Sequence, residues 1–344
     1  MSEILKELET RVARTYRGGM LLEKFLGKPD PKDSDFPEDW ISSFIEAKNK
    51  EYIKNEGITR IETESGIKLI TDAVSPSDFG EGRNDSGVLI KYLDSSERLG
   101  IQVHPTKEYS KKYFGTPYGK TECWHILGTR KINGEPACIY IGFKENVTKE
   151  IFKELFIKQD IPGILECMHK FEVHPGDTVL VKAGLPHAIG AGCFLLEIQE
   201  PTDYTMRAER LTVGGETLTD RQMHYGLGFD KMLECFNYNG LSREAIKDTV
   251  FISPEKQVLE DKTITTLVGY DSTACFKLVK ARITDSFMKF DSFVTIISLS
   301  DGGFIKHNGQ TEKLKKSDKW FIPANCADLR FVNADLLICY PPKK

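Results

Sequence analysis

Apolar residues along the chain fall mostly into short runs that alternate with polar positions and are closed by Gly, Asn, Asp or Ser, which predicts strands more often than helices. Val88 to Leu93, Leu99 to His104, Glu122 to Gly128 and Ala137 to Phe143 are four such strands; others resume from Phe171 and return from Val250 onward. Helical spacing is confined to fewer places. Met1 to Arg14 mixes Glu and Lys through its apolar positions and predicts an amphipathic helix, and residues 1 to about 60 are expected to be helical in pieces, broken by the turn-rich Gly27 to Pro37. Thr148 to Ile157 predicts a helix with Glu150 and Glu154 on its polar side, and Thr217 to Tyr238 predicts one or two helices, capped by Thr219, joining two β halves.

An internal repeat sharpens this mainly β picture. Gly176 to His187 aligns with Ser317 to Asp328, keeping an Asp, an apolar strand and a small-residue turn; at the same offset Leu195-Leu196 falls on Leu336-Leu337, and Pro201 on Pro342. The polar residues of the first copy are replaced in the second: His187 by Asp328, Glu197 by Ile338 and Gln199 by Tyr340. Two related barrels are expected, an N-terminal domain over residues 1–248 enlarged by helices and carrying the chemistry, and a degenerate C-terminal domain over residues 249–344.

Composition agrees and removes several function classes. A length of 344 residues suits two domains, and 40% hydrophobic with 28% charged residues excludes a wholly disordered or collagen-like chain. The net charge of -4 provides no basic field for a phosphodiester backbone, so nucleic acid is not an expected partner. Runs such as Phe293 to Leu299 and Leu336 to Tyr340 have strand length, the N-terminus lacks a signal-peptide core, and no membrane span is expected. The eight cysteines (123, 138, 167, 193, 235, 275, 326, 339) never approach C-x-x-C spacing and read as reduced thiols of a cytoplasmic protein.

Gln102-Val103-His104-Pro105 ends a strand, so Gln102 and His104 project from one face. Lys120-Thr121-Glu122 opens another with the same spacing, and His187 follows the small-residue turn Ala183 to Pro186. Gln102, His104, Glu122 and His187 make an N/O donor set for a divalent metal, and imidazole favours zinc or iron over magnesium. Glu197 shares a strand face with Leu195, so it is expected to be buried and to need a partner. Lys91 lies between apolar neighbours and could instead reach solvent along its stem; Trp40 and Ser42 could line a site, with Trp40 better suited to a core.

Lys91 to Pro105, Gly119 to Trp124, Pro186-His187-Ala188, Leu196 to Gln199 and Asp203 to Arg207, in this order, closely resemble the type I mannose-6-phosphate isomerases, or phosphomannose isomerases. The resemblance is specific over roughly residues 85 to 210, weaker over Arg14 to Asn49, and architectural beyond residue 250. It implies two cupin (jelly-roll) domains and a zinc-dependent aldose-ketose isomerase interconverting mannose 6-phosphate and fructose 6-phosphate through an enediol-type intermediate. It further implies one Zn2+ per chain on Gln102, His104, Glu122 and His187, with Arg207, Glu197 and Lys120 as catalytic residues and Lys91, Lys120 and Arg207 at the sugar. A small sugar phosphate is then the expected partner, with monomer and homodimer both open.

One departure stands out. Members of that family usually carry Ser two residues before the zinc-binding Gln, where it helps hold phosphate, and this chain has Gly100; Ser95 or Ser96 are the nearby hydroxyls. An isomerase of a different sugar, an Fe(II) oxygenase using His104, Glu122 and His187 as a facial triad, and a non-catalytic sugar-binding cupin are the alternatives.

Overall fold

Alternating apolar positions pair into sheets wherever a partner strand can cover them, and in the computed structural model, which describes residues 3–324 and 326–344, strands dominate. In chain order the first elements are β1 (Leu5–Glu7), β2 (Arg11–Val12), α1 (Met20–Phe25), β3 (Glu38–Ile41), β4 (Arg60–Thr63), β5 (Gly66–Leu69), β6 (Leu89–Asp94), β7 (Gln102–Val103) and α2 (Lys107–Phe114). Next come β8 (Glu122–Thr129), β9 (Cys138–Phe143), α3 (Lys149–Lys158), α4 (Ile161–Glu166), β10 (Met168–Glu172), β11 (Thr178–Val181), β12 (His187–Ile189), β13 (Cys193–Gln199) and β14 (Met206–Arg207). Three helices, α5 (Asp220–His224), α6 (Phe229–Glu234) and α7 (Arg243–Val250), lead to β15 (Glu255–Val258), β16 (Lys262–Val268), β17 (Lys277–Phe287), β18 (Val294–Ser298), β19 (Phe304–His307), β20 (Gln310–Lys313), β21 (Lys319–Ile322) and β22 (Arg330–Tyr340).

The first barrel is made of two facing sheets, ordered β11-β8-β13-β6-β3-β2 and β10-β9-β12-β7-β14. The second contains the path β21-β18-β22-β17, which repeats β11-β8-β13-β6 strand for strand. The alignment read from the sequence thus reflects a repeated topology, with β11 falling on β21 and β13 inside β22. Alternation then sends side chains two ways. Leu195 joins the interior of the first barrel with Trp124, Ile139 and Val181, and Leu336 and Ile338 join the interior of the second with Val279 and Ile296. The intervening residues Leu196, Ile198, Leu337 and Cys339 pack into a shared core with Phe276, Phe293 and Phe321, so the barrels meet back to back. At about 1.5–3 kcal/mol for each large apolar side chain buried, that seam is a principal source of cohesion.

The expected helix over Met1 to Arg14 does not form. Met1 and Ser2 lie outside the described residues, and β1 and β2 are strands: Leu5 pairs with Phe321 and Glu7 with Lys319, a ladder supplied by the far end of the chain. Among the described residues, the broader expectation of helix through residue 60 is met only by α1. β1, β4 and β5 continue the sheet of the second barrel, and residue 248 falls inside α7, a helix that strand patterning did not predict. The expected helix at Thr148 forms as α3, with the Thr148 hydroxyl accepting from Ile151 N–H, and Thr219 caps α5 in a reciprocal capping box with Gln222.

Candidate active site

Strand register assembles the site from the two facing sheets. His187 pairs with Gln102, which pairs on its other side with Arg207, so residues remote in sequence are neighbours across β12, β7 and β14. On the opposite sheet Gln199 pairs with Glu122, and Glu197 with Lys91. Gly184, at φ +86°, makes the left-handed turn ahead of His187, and its N–H donates to His104 O at 2.8 Å, tying two ligand segments together.

Three donor side chains meet there. His104 Nε2 lies 3.2 Å from Glu122 Oε2 and His187 Nε2 lies 3.4 Å from Glu122 Oε1. The ligand atoms of these three buried residues all fall within 4.8 Å of one another. Each imidazole is oriented by its other nitrogen: His104 Nδ1 bonds Tyr204 O at 3.0 Å and His187 Nδ1 bonds Leu185 O at 2.9 Å. A carbonyl can only accept, so each Nδ1 carries the proton and each Nε2 presents a lone pair inward. Burial, followed by the charge of Lys120, brings His104 down to about 3, and burial lowers His187 too, so both rings are neutral at neutral pH.

Burial alone would raise the Glu122 carboxyl, but the charge of Lys120 at 3.2 Å holds it well below the usual carboxylate range. Among the described residues, no hydrogen bond of good geometry reaches Glu122 Oε2. Two neutral imidazoles, one carboxylate with an unsatisfied oxygen, and Gln102, whose amide lies 3.3 Å from His187 Nε2, are a donor set that fits a divalent cation.

The donors open on a cavity of about 600 Å3 whose walls include Lys91, Gly100, Gln102, Lys120, Glu122, Glu197 and Arg207. All the residues singled out in the sequence as ligands or sugar contacts are therefore at one place except His104 and His187, which sit behind the wall at the donor cluster, and Trp40 and Ser42. Trp40 is wholly buried, donating to Glu38 at 2.8 Å, and Ser42 is bound to Glu7 and Thr295, so neither lines the cavity. Lys91 does not run out to solvent: it is 3% exposed and lies 3.4 Å from Glu197 and 3.6 Å from Glu38. Ser95 is buried with its hydroxyl donating to Gly190 O, and neither it nor Ser96 reaches the cavity in place of the missing hydroxyl at Gly100.

Glu197 Oε1 is buried and unbonded. Burial and then the negative charge of Glu122 raise its carboxyl to about 8, against the opposing pull of Lys91 and Lys120. A divalent cation at the donor cluster would offset the Glu122 charge and draw Glu197 down towards neutrality.

Sequence reasoning missed the buried ion network behind Lys91. Arg14 lies 3.1 Å from Glu38 and 2.8 Å from Asp203, and Tyr16 OH donates to Glu38 at 2.6 Å. Its signal in the sequence was limited to Asp203, at the head of the Asp203 to Arg207 motif. Burial alone would raise Asp203, yet the charge and hydrogen bonds of Arg14 hold it below the usual carboxylate range. A depressed carboxyl stabilises the fold above its unfolded pKa of about 3.9 and loses that contribution as pH falls through the folded value. Asp203→Asn is expected to destabilise by about 3–5 kcal/mol at pH 7, because Arg14 is left buried and half-paired, with the gap to wild type closing in acid; urea melts across pH measure it.

In the second barrel the corresponding positions are emptied of chemistry. Val181 pairs with Glu122 and its counterpart Ile322 pairs with Val294; Glu197 pairs with Lys91 and its counterpart Ile338 pairs with Val279. The His187 counterpart, Asp328, is exposed at a turn. Asp328→Ala is expected to leave bound metal unchanged, as elemental analysis would register, and to cost about 1 kcal/mol of stability because Asp328 holds a left-handed backbone that Ala disfavours.

No protein-family profile matches the chain. A Bacillus subtilis protein named "Probable mannose-6-phosphate isomerase GmuF" is 26% identical over 257 residues, 74% of this chain and 75% of that protein. Among solved structures, the mannose 6-phosphate isomerase from Bacillus subtilis superposes with a TM-score of 0.74 at 23% identity, covering 98% of each chain. A zinc-bound mannose 6-phosphate isomerase superposes with a TM-score of 0.71 at 14% identity, covering 99% of this chain and 100% of the other. The kinship read from the motifs is thus met by relatives that carry this name, and the double-barrel fold extends over the whole chain.

Proposed function

We propose that this chain is a zinc-dependent aldose-ketose isomerase interconverting mannose 6-phosphate and fructose 6-phosphate. The observation that carries the reading is the convergence of two pre-oriented, neutral imidazoles on one ionised carboxylate, Glu122, which lines a cavity that also holds an unbonded carboxyl, Glu197. One zinc ion would be held by His104, Glu122 and His187, with Gln102 as the fourth protein donor. When bound, zinc would supply a positive centre for the sugar's C1 and C2 oxygens as negative charge grows there.

The chain's own groups would do the rest. Glu197 Oε1, facing no other donor, takes the proton from C2 of the aldose and returns it at C1, passing through an enediol-type species. Lys91, 3.4 Å from Glu197 Oε2, holds the other carboxylate oxygen and favours its ionised form, against burial and the charge of Glu122. Lys120 stands beside Glu122 to donate to a sugar oxygen, and Arg207, adjacent to Gln102 across the sheet, faces the same space with its planar fork.

The reading is tested by assaying metal-loaded protein on phosphorylated and free aldoses while following oxygen uptake. Mannose 6-phosphate conversion without oxygen uptake is expected. Turnover of an unphosphorylated sugar alone would replace the substrate, oxygen uptake with bound iron would replace the reaction class, and sugar binding without turnover would leave a binding protein.

A further inference from the structure

The cations that line the cavity divide by partner. Arg14 lies 2.8 Å from Asp203, Lys91 3.4 Å from Glu197, Lys120 3.2 Å from Glu122 and Lys50 3.2 Å from Glu216, while Arg98 grips Glu209 through both terminal nitrogens. Turning any of these to an incoming anion would leave a carboxylate unpaired. Lys48, Arg207 and Arg221 line the same cavity and have no carboxylate partner among the described residues. The lining carboxylates Glu46 and Glu97 form no ion pair with them among the described residues and are bonded elsewhere: Glu46 accepts from Tyr52 OH and Asn55 N–H, and Glu97 from Arg17 N–H.

The three unpaired cations gather around α5. Arg207 Nη1 donates to Gln222 O at 2.7 Å and Thr205 O at 3.4 Å, which fixes the guanidinium, and among the described residues Nε and Nη2 have no hydrogen-bond partner. Arg221 is the second residue of α5. Lys48 Nζ stands 3.5 Å over the Tyr204 ring and 6.0 Å from the ring of Tyr225, the residue that closes α5. At Gly100 a Cβ would meet nothing within 4 Å, so the wall where a hydroxyl could have stood is open space.

We propose that Lys48 and Arg221, together with Arg207, hold the phosphoryl group of the substrate at the α5 end of the cavity, and that they replace the hydroxyl missing at Gly100 in setting preference for phosphorylated sugars. This rests on reading the cavity as a sugar-phosphate site. A dianion there would meet three cations that have no ion-paired carboxylate to release among the described residues, and the fixed Arg207 fork can bind two of its oxygens at once.

Calorimetric titration of inorganic phosphate into the metal-loaded protein tests this, with KM for mannose 6-phosphate as second readout. Lys48→Gln and Arg221→Gln are each expected to weaken phosphate about tenfold, the worth of one charge-assisted hydrogen bond, and to raise KM by a similar factor with less change in kcat. Arg221→Lys should keep part of the affinity, and Lys50→Gln, whose partner is Glu216, should keep all of it. The assignment is overturned if wild type binds no phosphate, if both Gln variants bind it as wild type does while melting normally, or if Lys50→Gln loses as much. Phosphate binding lost in the variants of a protein that fails to isomerise mannose 6-phosphate would uphold the clamp and reject the isomerase reading. Isomerisation with phosphate affinity indifferent to the variants would do the reverse.

Discussion

His187→Ala is expected to lose bound metal and about a thousandfold or more in isomerase rate together, since a divalent cation contributes several kcal/mol to a transition state that builds negative charge on oxygen. The ring is fully buried, its Nε2 faces both Glu122 and Gln102, and its Nδ1 is committed to Leu185 O, so the alanine variant lacks a pre-oriented donor at this position. Added zinc should raise the melting temperature of wild type, because a ligand that binds only the folded state stabilises it, and should not raise that of the variant. A variant that kept its metal and its rate would place the metal elsewhere. The fold should persist, because the cores of both barrels and the seam between them are built from residues outside the donor cluster.

Glu197→Gln is expected to keep its metal and to lose about 10²–10⁴ in kcat, the usual worth of a general acid-base group. The amide fills the same volume and cannot carry the proton. Lys91→Met gives a separate sign. Lys91 lowers the Glu197 carboxyl, so its removal should move the acid limb of the pH–rate profile to higher pH, whereas Glu197→Gln should abolish that limb. A Glu197→Gln enzyme within about threefold of wild type would assign proton transfer to another group.

How much of this could be read from the chain depended on the range of the interactions. The donor set was legible because its geometry is local: Gln102 and His104, and Lys120 and Glu122, are each two apart on a strand, and His187 follows a turn that Gly184 makes possible. The repeat was legible because topology left its imprint on β11 and β21 and on β13 and β22. The helix expected at the N-terminus failed for the opposite reason. Glu and Lys among its apolar residues suit an amphipathic helix, but the pairing of β1 with β21 spans nearly the whole chain, and no local window contains it. The same holds for the Lys91 network, whose members come from β3, β6, β13 and the segments around Arg14 and Asp203; only the fold brings them within ion-pair distance. Lys48 and Arg221 carried no motif at all and became visible when the other cations of the cavity had been matched to their carboxylates.

The account stands most directly on a stoichiometric titration: metal-stripped protein receives zinc in known increments while the conversion of mannose 6-phosphate to fructose 6-phosphate is followed. Activity should be absent at the start, rise in proportion to zinc and level off at one ion per chain. Full activity without metal, a plateau at two ions per chain, or zinc bound at one equivalent with no conversion at any point would contradict it.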